Sequence, residues 1–203
     1  MIDFVHLHVH TQYSLLDGQA SVSALVDKAI ADGMKGIAVT DHGSMFAIKE
    51  FCNYVNKKNG PVNGEIKDLK KQLALLVKEE DSADRQERIT ECKAKLEEAK
   101  SRIFKPIIGC EMYVARRSMD KKEGKFDQSG WHLIVLAKNE KGYHNLIKLV
   151  SRAWTKGFYM RPRTDRSDLE KYHEGLIVCS ACIGGEVPRK IILDKLDEAE
   201  EAV

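Results

Sequence analysis

The chain has 203 residues, 43% of them hydrophobic and 32% charged, with a formal net charge of +2. That suits one domain with a real core, and the charge is too small to argue for nucleic acid by itself. No apolar run is long enough to span a bilayer, the opening has no secretory pattern, and five scattered cysteines do not suggest a disulfide framework, so a reduced, cytoplasmic protein is expected.

Residues 2–11 read as a strand carrying His6, His8 and His10 at alternate positions. Alternation puts the three imidazoles on one face, with Val5, Leu7 and Val9 on the other. A lone histidine would read as structural; three on one face point to a metal or phosphate site. A polar turn, residues 11–18, leads to a helix with Val22, Leu25, Val26, Ala29 and Ile30 at helical spacing, ended by Gly33. Residues 36–40 are a short strand, with Asp41-His42-Gly43 where it stops. A helix over about 47–57 is expected to break at Asn59-Gly60-Pro61. Further strands are expected at 105–114, 131–137 and 176–180, with a helix over about 143–155. The alternation of strand and helix predicts a parallel α/β sheet or barrel.

Residues 65–104 depart from this pattern. They are highly charged, with Ile66, Leu69, Leu73 and Leu76, then Ile89, Cys92, Leu96, Ala99 and Ile103, at the spacing of a coiled-coil seam. With a turn at 79–84, they predict an antiparallel helical hairpin over 62–104, read as a solvated spacer or a docking arm for a partner protein.

In parallel α/β folds, sites form at the carboxyl ends of strands. His8 and His10 end the first strand and His42 the second, the third carries Glu111, His132 lies in the next, Cys182 follows the last, and Asp17 is in the loop after the first. These are ligand types for zinc, manganese or iron. Singly they have plainer readings: Glu111 as an exposed charge, Cys182 as a buried apolar residue. Cys179 and Cys182 form one CxxC with no second pair and no redox context. Together the donors exceed one tetrahedral zinc and imply two or more metals sharing bridging groups.

His8-Val9-His10-Thr11, Thr40-Asp41-His42-Gly43 and Gly109-Cys110-Glu111 resemble the first motifs of the PHP (polymerase and histidinol phosphatase) family. Residues 4–18, 156–165 and 174–186 are similar to bacterial DNA polymerase III alpha subunits, the C-family replicative polymerases. The resemblance covers the chain apart from the hairpin. It implies a PHP-type distorted (β/α)7, TIM-like barrel over 1–203, truncated at the carboxyl end and carrying the hairpin as an insertion. It implies the metal ligands His8, His10, Asp17, His42, Glu111, His132 and Cys182, with His6 and Asp41 behind them orienting ligands. Up to three divalent metals are implied in the intact domain, zinc first, with manganese or iron as alternatives.

The family's closing Asp-x-His has no match. Asp194 and Asp197 fall in a charged stretch that reads as a helix, so the chain is expected to be an N-terminal fragment of a larger polymerase, inactive alone. The implied activity is metal-dependent 3′→5′ proofreading, set against a non-catalytic scaffold and a free-standing phosphatase. The implied partners are a DNA primer-template, the rest of the polymerase chain and other replicase subunits, with no membrane. DNA contact is ascribed to Arg116, Arg117, Lys121, Lys122 and Lys125, or to Lys156, Arg161, Arg163 and Arg166 beside Phe158 and Tyr159; solvated loops and packing are the plainer readings. His144 and His173 are expected at the surface.

Overall fold

The computed structural model describes residues 4–203. In chain order the elements are α1 (Val22–Ala31), β1 (Gly36–Val39), α2 (Ile48–Leu76), α3 (Ala83–Ser101), β2 (Lys105–Val114), α4 (Gly124–Asp127) and β3 (Trp131–Ala137). They continue as α5 (Glu140–Thr155), β4 (Arg163–Thr164), α6 (Arg166–Tyr172), β5 (Leu176–Ser180), α7 (Glu186–Ile192) and α8 (Leu196–Glu200).

The sheet is open and mixed, in the order β1-β2-β3-β5, with β4 on the same edge of β2 as β1. β1 and β4 run parallel to β2, but β2–β3 and β3–β5 are antiparallel, which corrects the expectation of a parallel sheet. The reason lies in the connection: residues 115–130 hold only the one-turn α4, without the crossover helix that a parallel neighbour requires.

Residues 4–10 form no strand; Ile2 and Asp3 of the expected strand lie outside the described residues. The segment still bonds to the β1 side, Ala38 N to His6 O and Thr40 N to Val9 O, both at 2.9 Å. Three residues on one side match two on the other, so the ladder slips and strict alternation is lost. Leu7 is consequently exposed, while Val9 packs on the core.

Pro61 does not stop α2. The helix runs unbroken through Asn59-Gly60-Pro61, and packing on both sides overrides the breaker. Its first turns bury Phe51 and Val55 against Val22, Val26 and Val39. Its last turns close with α3 around Leu76, Ile89 and Cys92. Asn59 Nδ2 donates to Phe104 O at 2.8 Å, and Phe104 N donates to Asn59 Oδ1 at 3.0 Å, so the helix pair is pinned at its base. The charged end is also not one helix: Asp194, at φ 58°, separates α7 from α8.

One sheet face carries Cys110, Met112 and Val135 under Leu146, Leu149 and Val150 of α5. The opposite face carries Ala38, Ile134 and Leu136, and along it lie Glu111, Tyr113 and His132, by the alternation of β2 and β3.

Candidate metal centre

The register of β1 on β2 is constant: Gly36 opposes Lys105, Val39 opposes Ile108, and beyond the strand end His42 opposes Glu111. Gly43 N donates to Glu111 O at 2.8 Å, and Glu111 N donates to Asp41 O at 3.1 Å. Gly43 sits at φ +58° with Pro162 against its α-carbon, a position where a Cβ would meet Pro162 Cγ at 2.6 Å. The turn after His42 is therefore closed to larger residues. β3 runs back beside β2, which brings His132 opposite Tyr113.

Glu111, only 1% exposed, is the hub. Its Oε2 lies 3.0 Å from His10 Nε2, 2.9 Å from His42 Nδ1 and 3.9 Å from His8 Nε2, and its Oε1 lies 2.7 Å from His132 Nδ1. Asp17 closes the outer side, its Oδ2 2.9 Å from His42 Nε2 and 3.8 Å from His10 Nε2. Three overlapping groups, His8-His10-Glu111, His10-Asp17-His42 and His42-Glu111-His132, each hold donor atoms within 4.8 Å of one another.

The hydrogen bonds behind the histidines fix their tautomers. Thr40 Oγ1 donates to Val9 O at 3.2 Å, so its contact with His8 Nδ1 at 2.9 Å is one it accepts. Ser14 Oγ donates to Asp41 Oδ1 at 2.8 Å, so it likewise accepts from His10 Nδ1 at 2.8 Å. Both Nε2 atoms are left as lone pairs turned toward a carboxylate, an arrangement that a shared cation stabilises. The buried His42 Nδ1 and Glu111 Oε2 point the same way, since neither has an aligned hydrogen-bond partner although they are 2.9 Å apart. Two donors held about 2.1 Å from one cation stand roughly 3.0–3.4 Å apart, so the donor set fits a metal.

Electrostatics agree with an anion among imidazoles. Burial alone would raise the Glu111 carboxyl, but the close imidazoles of His10, His132 and His42 outweigh it and hold the group far below the usual carboxylate range. The Glu111 carboxylate beside it raises His42. Burial lowers His8, Glu111 pulls it up, and His10, His42 and His132 push it down again.

Of the sequence-derived residues, His8, His10, Asp17, His42, Glu111 and His132 are brought together. Cys182 is exposed beside them: its Sγ accepts from Gly184 N at 3.4 Å and lies 3.6 Å from His132 Nδ1, outside the three groups. Asp41 is buried and takes Thr11 N, Thr11 Oγ1 and Ser14 Oγ, so it holds the turn that carries His10. His6 is in none of the three donor groups, and its ring lies 4.8 Å from that of Phe4. His144 and His173 are exposed. Of the basic residues, Arg163 is buried against backbone carbonyls, Arg117 pairs with Asp127 and Glu123, and Arg166 pairs with Glu186.

Ser14, Thr40 and Tyr113 were not singled out in the sequence. Tyr113 packs 5.1 Å from the His132 ring and 6.0 Å from His42. Its place two residues after Glu111, on the same face, was the available signal. Ser14 stands four residues after His10 in a polar turn, a pattern too common to read alone.

A family model described as PHP domain matches residues 6–203. The DNA polymerase III subunit alpha of Borreliella burgdorferi is 41% identical over 201 residues, covering 98% of this chain and 14% of that protein. Its counterpart in Treponema pallidum is 36% identical over 201 residues, covering 98% of this chain and 13% of its own length. That of Thermus aquaticus is 38% identical over 203 residues, again 98% and 13%. The chain thus spans a small part of the length of the curated relatives it matches.

Proposed function

This chain belongs to the PHP domain family, and from that premise we propose that it is the amino-terminal PHP domain of a DNA polymerase III alpha subunit, with a metal-dependent phosphoesterase centre built on Glu111. The observation that carries this reading is the facing pair His42 Nδ1 and Glu111 Oε2, buried and without aligned partners among four convergent imidazoles. His8, His10, Asp17, His42, Glu111 and His132 would hold the metals, with Cys182 beside them, its Sγ 3.6 Å from His132 Nδ1. Zinc suits this donor set, and manganese or iron fits the same nitrogen and oxygen atoms. The open sheet is then part of a distorted (β/α)7 barrel, and residues 62–104 are an inserted hairpin.

Divalent metals bound there supply water activation and neutralise charge on a phosphate diester. The chain's own residues prepare the site for that work. Thr40 and Ser14 keep Nε2 of His8 and His10 free of protons. Asp41 holds Ser14 and Thr11, and so the height of the His10 ring. Glu111 supplies negative charge in a water-poor position, where it acts most strongly. Asp17, on the exposed loop, leaves the outer side open to a substrate.

In a replicative polymerase the matching substrate is the 3′ end of a DNA primer, and the reaction is 3′→5′ proofreading. The partners are then primer-template, the remaining polymerase chain and other replicase subunits in the cytoplasm, with this chain inactive alone. No helix among the described residues is long and apolar enough to cross a membrane. The position of Cys182 outside the metal groups favours a second reading, a scaffold that binds metal without turnover.

Release of nucleotides from a 3′-labelled primer by the full polymerase tests the two. The expected result is release that stops with chelator and falls strongly in His8→Ala. Release that is unchanged by both favours the scaffold.

A further inference from the structure

A cleft of about 430 Å³ opens beside the centre and shares His42 and Ser14 with it. That volume lies in the range of small-ligand sites. Its outer wall is aromatic. Phe46, Trp154 and Phe158 are 65, 41 and 46% exposed. Trp154 stacks on Phe158 with ring centroids 5.6 Å apart and lies 6.1 Å from Phe46. Trp154 Nε1 donates to Gly43 O at 2.7 Å, so the wall is tied to the turn that carries His42. Three aromatic rings left in water on one wall are unusual unless they meet something.

The inner wall is polar. The exposed Arg161 guanidinium sits 5.6 Å over the Tyr113 ring, between the aromatic wall and the histidines, and makes no ion pair among the described residues. Ser44, 3% exposed, lines the same cleft with a buried hydroxyl that has no hydrogen-bond partner. A buried hydroxyl without a partner is costly, which points to a ligand atom at that place.

We propose that this cleft is a subsite for single-stranded DNA, with bases stacked on Phe46, Trp154 and Phe158 and a backbone phosphate on Arg161, leading the strand end past Tyr113 to the His42–Glu111 centre. The direction of the strand rests on the phosphoesterase reading; the binding does not. Aromatic faces interleaved with a free cation are the features that hold unpaired strands, because every base offers a π-face whatever its sequence. A duplex hides those faces in its own stack, so the cleft discriminates between paired and unpaired DNA.

Fluorescence anisotropy of a labelled oligothymidylate with the protein, in chelator, tests the proposal without turnover. Phe46→Ala with Phe158→Ala is expected to weaken binding by about tenfold or more. Arg161→Gln is expected to lower the salt slope by about one ion. Metal content by elemental analysis is expected to match the parent in both variants. Wild-type affinity in the double variant overturns the subsite, and so does an equal loss on duplex DNA. Hydrolysis of bis(p-nitrophenyl) phosphate by the full polymerase, with metal, tests the phosphoesterase reading separately. No hydrolysis together with lost oligonucleotide binding in the variants leaves the subsite standing and removes the reaction. Hydrolysis together with unchanged oligonucleotide binding does the reverse.

Discussion

His42 and Glu111 oppose each other across a single parallel bridge that continues the β1–β2 register, with Nδ1 and Oε2 2.9 Å apart and no aligned hydrogen bond between them. The backbone therefore sets this contact, and the side chains inherit it. Glu111→Gln keeps the shape and removes the charge that four imidazoles share. Loss of tightly bound metal is expected, read by elemental analysis after gel filtration, with hydrolysis by the full polymerase down by at least about 100-fold. Metal retained at the parent level would move Glu111 out of the coordinating set.

Ser14→Ala tests the hydrogen bonds behind the ligands. It removes the acceptor of His10 Nδ1–H and one partner of Asp41, without touching an Nε2 atom. Such supporting contacts are worth roughly 10–100-fold in metal affinity. Chelator-competition titration is expected to show a loss in that range, and Thr40→Val the same through His8. Circular dichroism of the metal-free Ser14→Ala protein is expected to match the parent.

Arg163 is a structural arginine, although its sequence neighbourhood is basic and aromatic. It is fully buried and donates to the carbonyls of Gly157, Asp127, Met119 and Lys121 at 2.7–3.1 Å. One side chain thus ties the 115–130 connection to the turn before β4. Lys offers no planar fork to replace it. Arg163→Lys is expected to cost about 3 kcal/mol in urea unfolding, because several buried carbonyls lose their donor. Oligonucleotide binding measured below the unfolding transition is expected to stay at the parent level.

The donors of the centre were legible because they stand in or beside short apolar segments, where short-range pattern and fold geometry coincide. His42 and Glu111 stand out beside short apolar runs, and His8 and His10 by alternation. His6 shares that alternation but not the donor groups, since the ladder slips between His6 and Val9. That slip depends on β1, thirty residues away, and leaves no local mark. The antiparallel course of β3 depends on what the 115–130 connection lacks. The passage of α2 through Pro61 depends on packing at both of its ends, which outweighs the local breaker. Ser14 and Thr40 were silent because hydroxyl residues in turns and at strand ends are common.

Asp127 gives a pH signature separate from the histidines. Its buried carboxylate accepts from Arg117 Nε at 3.1 Å, is paired with Arg117 Nη2, and accepts from Glu123 N at 3.0 Å. The bond to Arg117 holds its pKa below the ordinary value, against the opposing effect of burial. A depressed carboxylate stabilises the folded state above its unfolded pKa of 3.8 and loses that contribution as pH falls through the lower folded value. Urea unfolding of the parent at pH 7 and near pH 3 is expected to show a loss that Asp127→Asn shares only in part. Equal slopes in the two proteins would place the acid sensitivity elsewhere.

The helix pair gives the last test, and the contacts at its base decide where to cut. The expected spacer began at residue 62 or 65 and ended at Phe104, but Phe104 is buried in the main core and Asn59 holds its backbone. A clean excision must therefore keep both. Glu65 Oε1 and Arg102 Nη2 are 2.6 Å apart, so the two arms are already close at that level. Replacing residues 66–101 with a short Gly-Ser link joins ends that the fold holds together, and loop closure adds little cost. Cooperative unfolding and parent metal content are expected for that protein. Removal of residues 60–104 takes Phe104 as well, and is expected to cost about 3 kcal/mol or more through the emptied core position. If the shorter excision also abolished cooperative unfolding, the arm would be part of the folding core and not a projection from it.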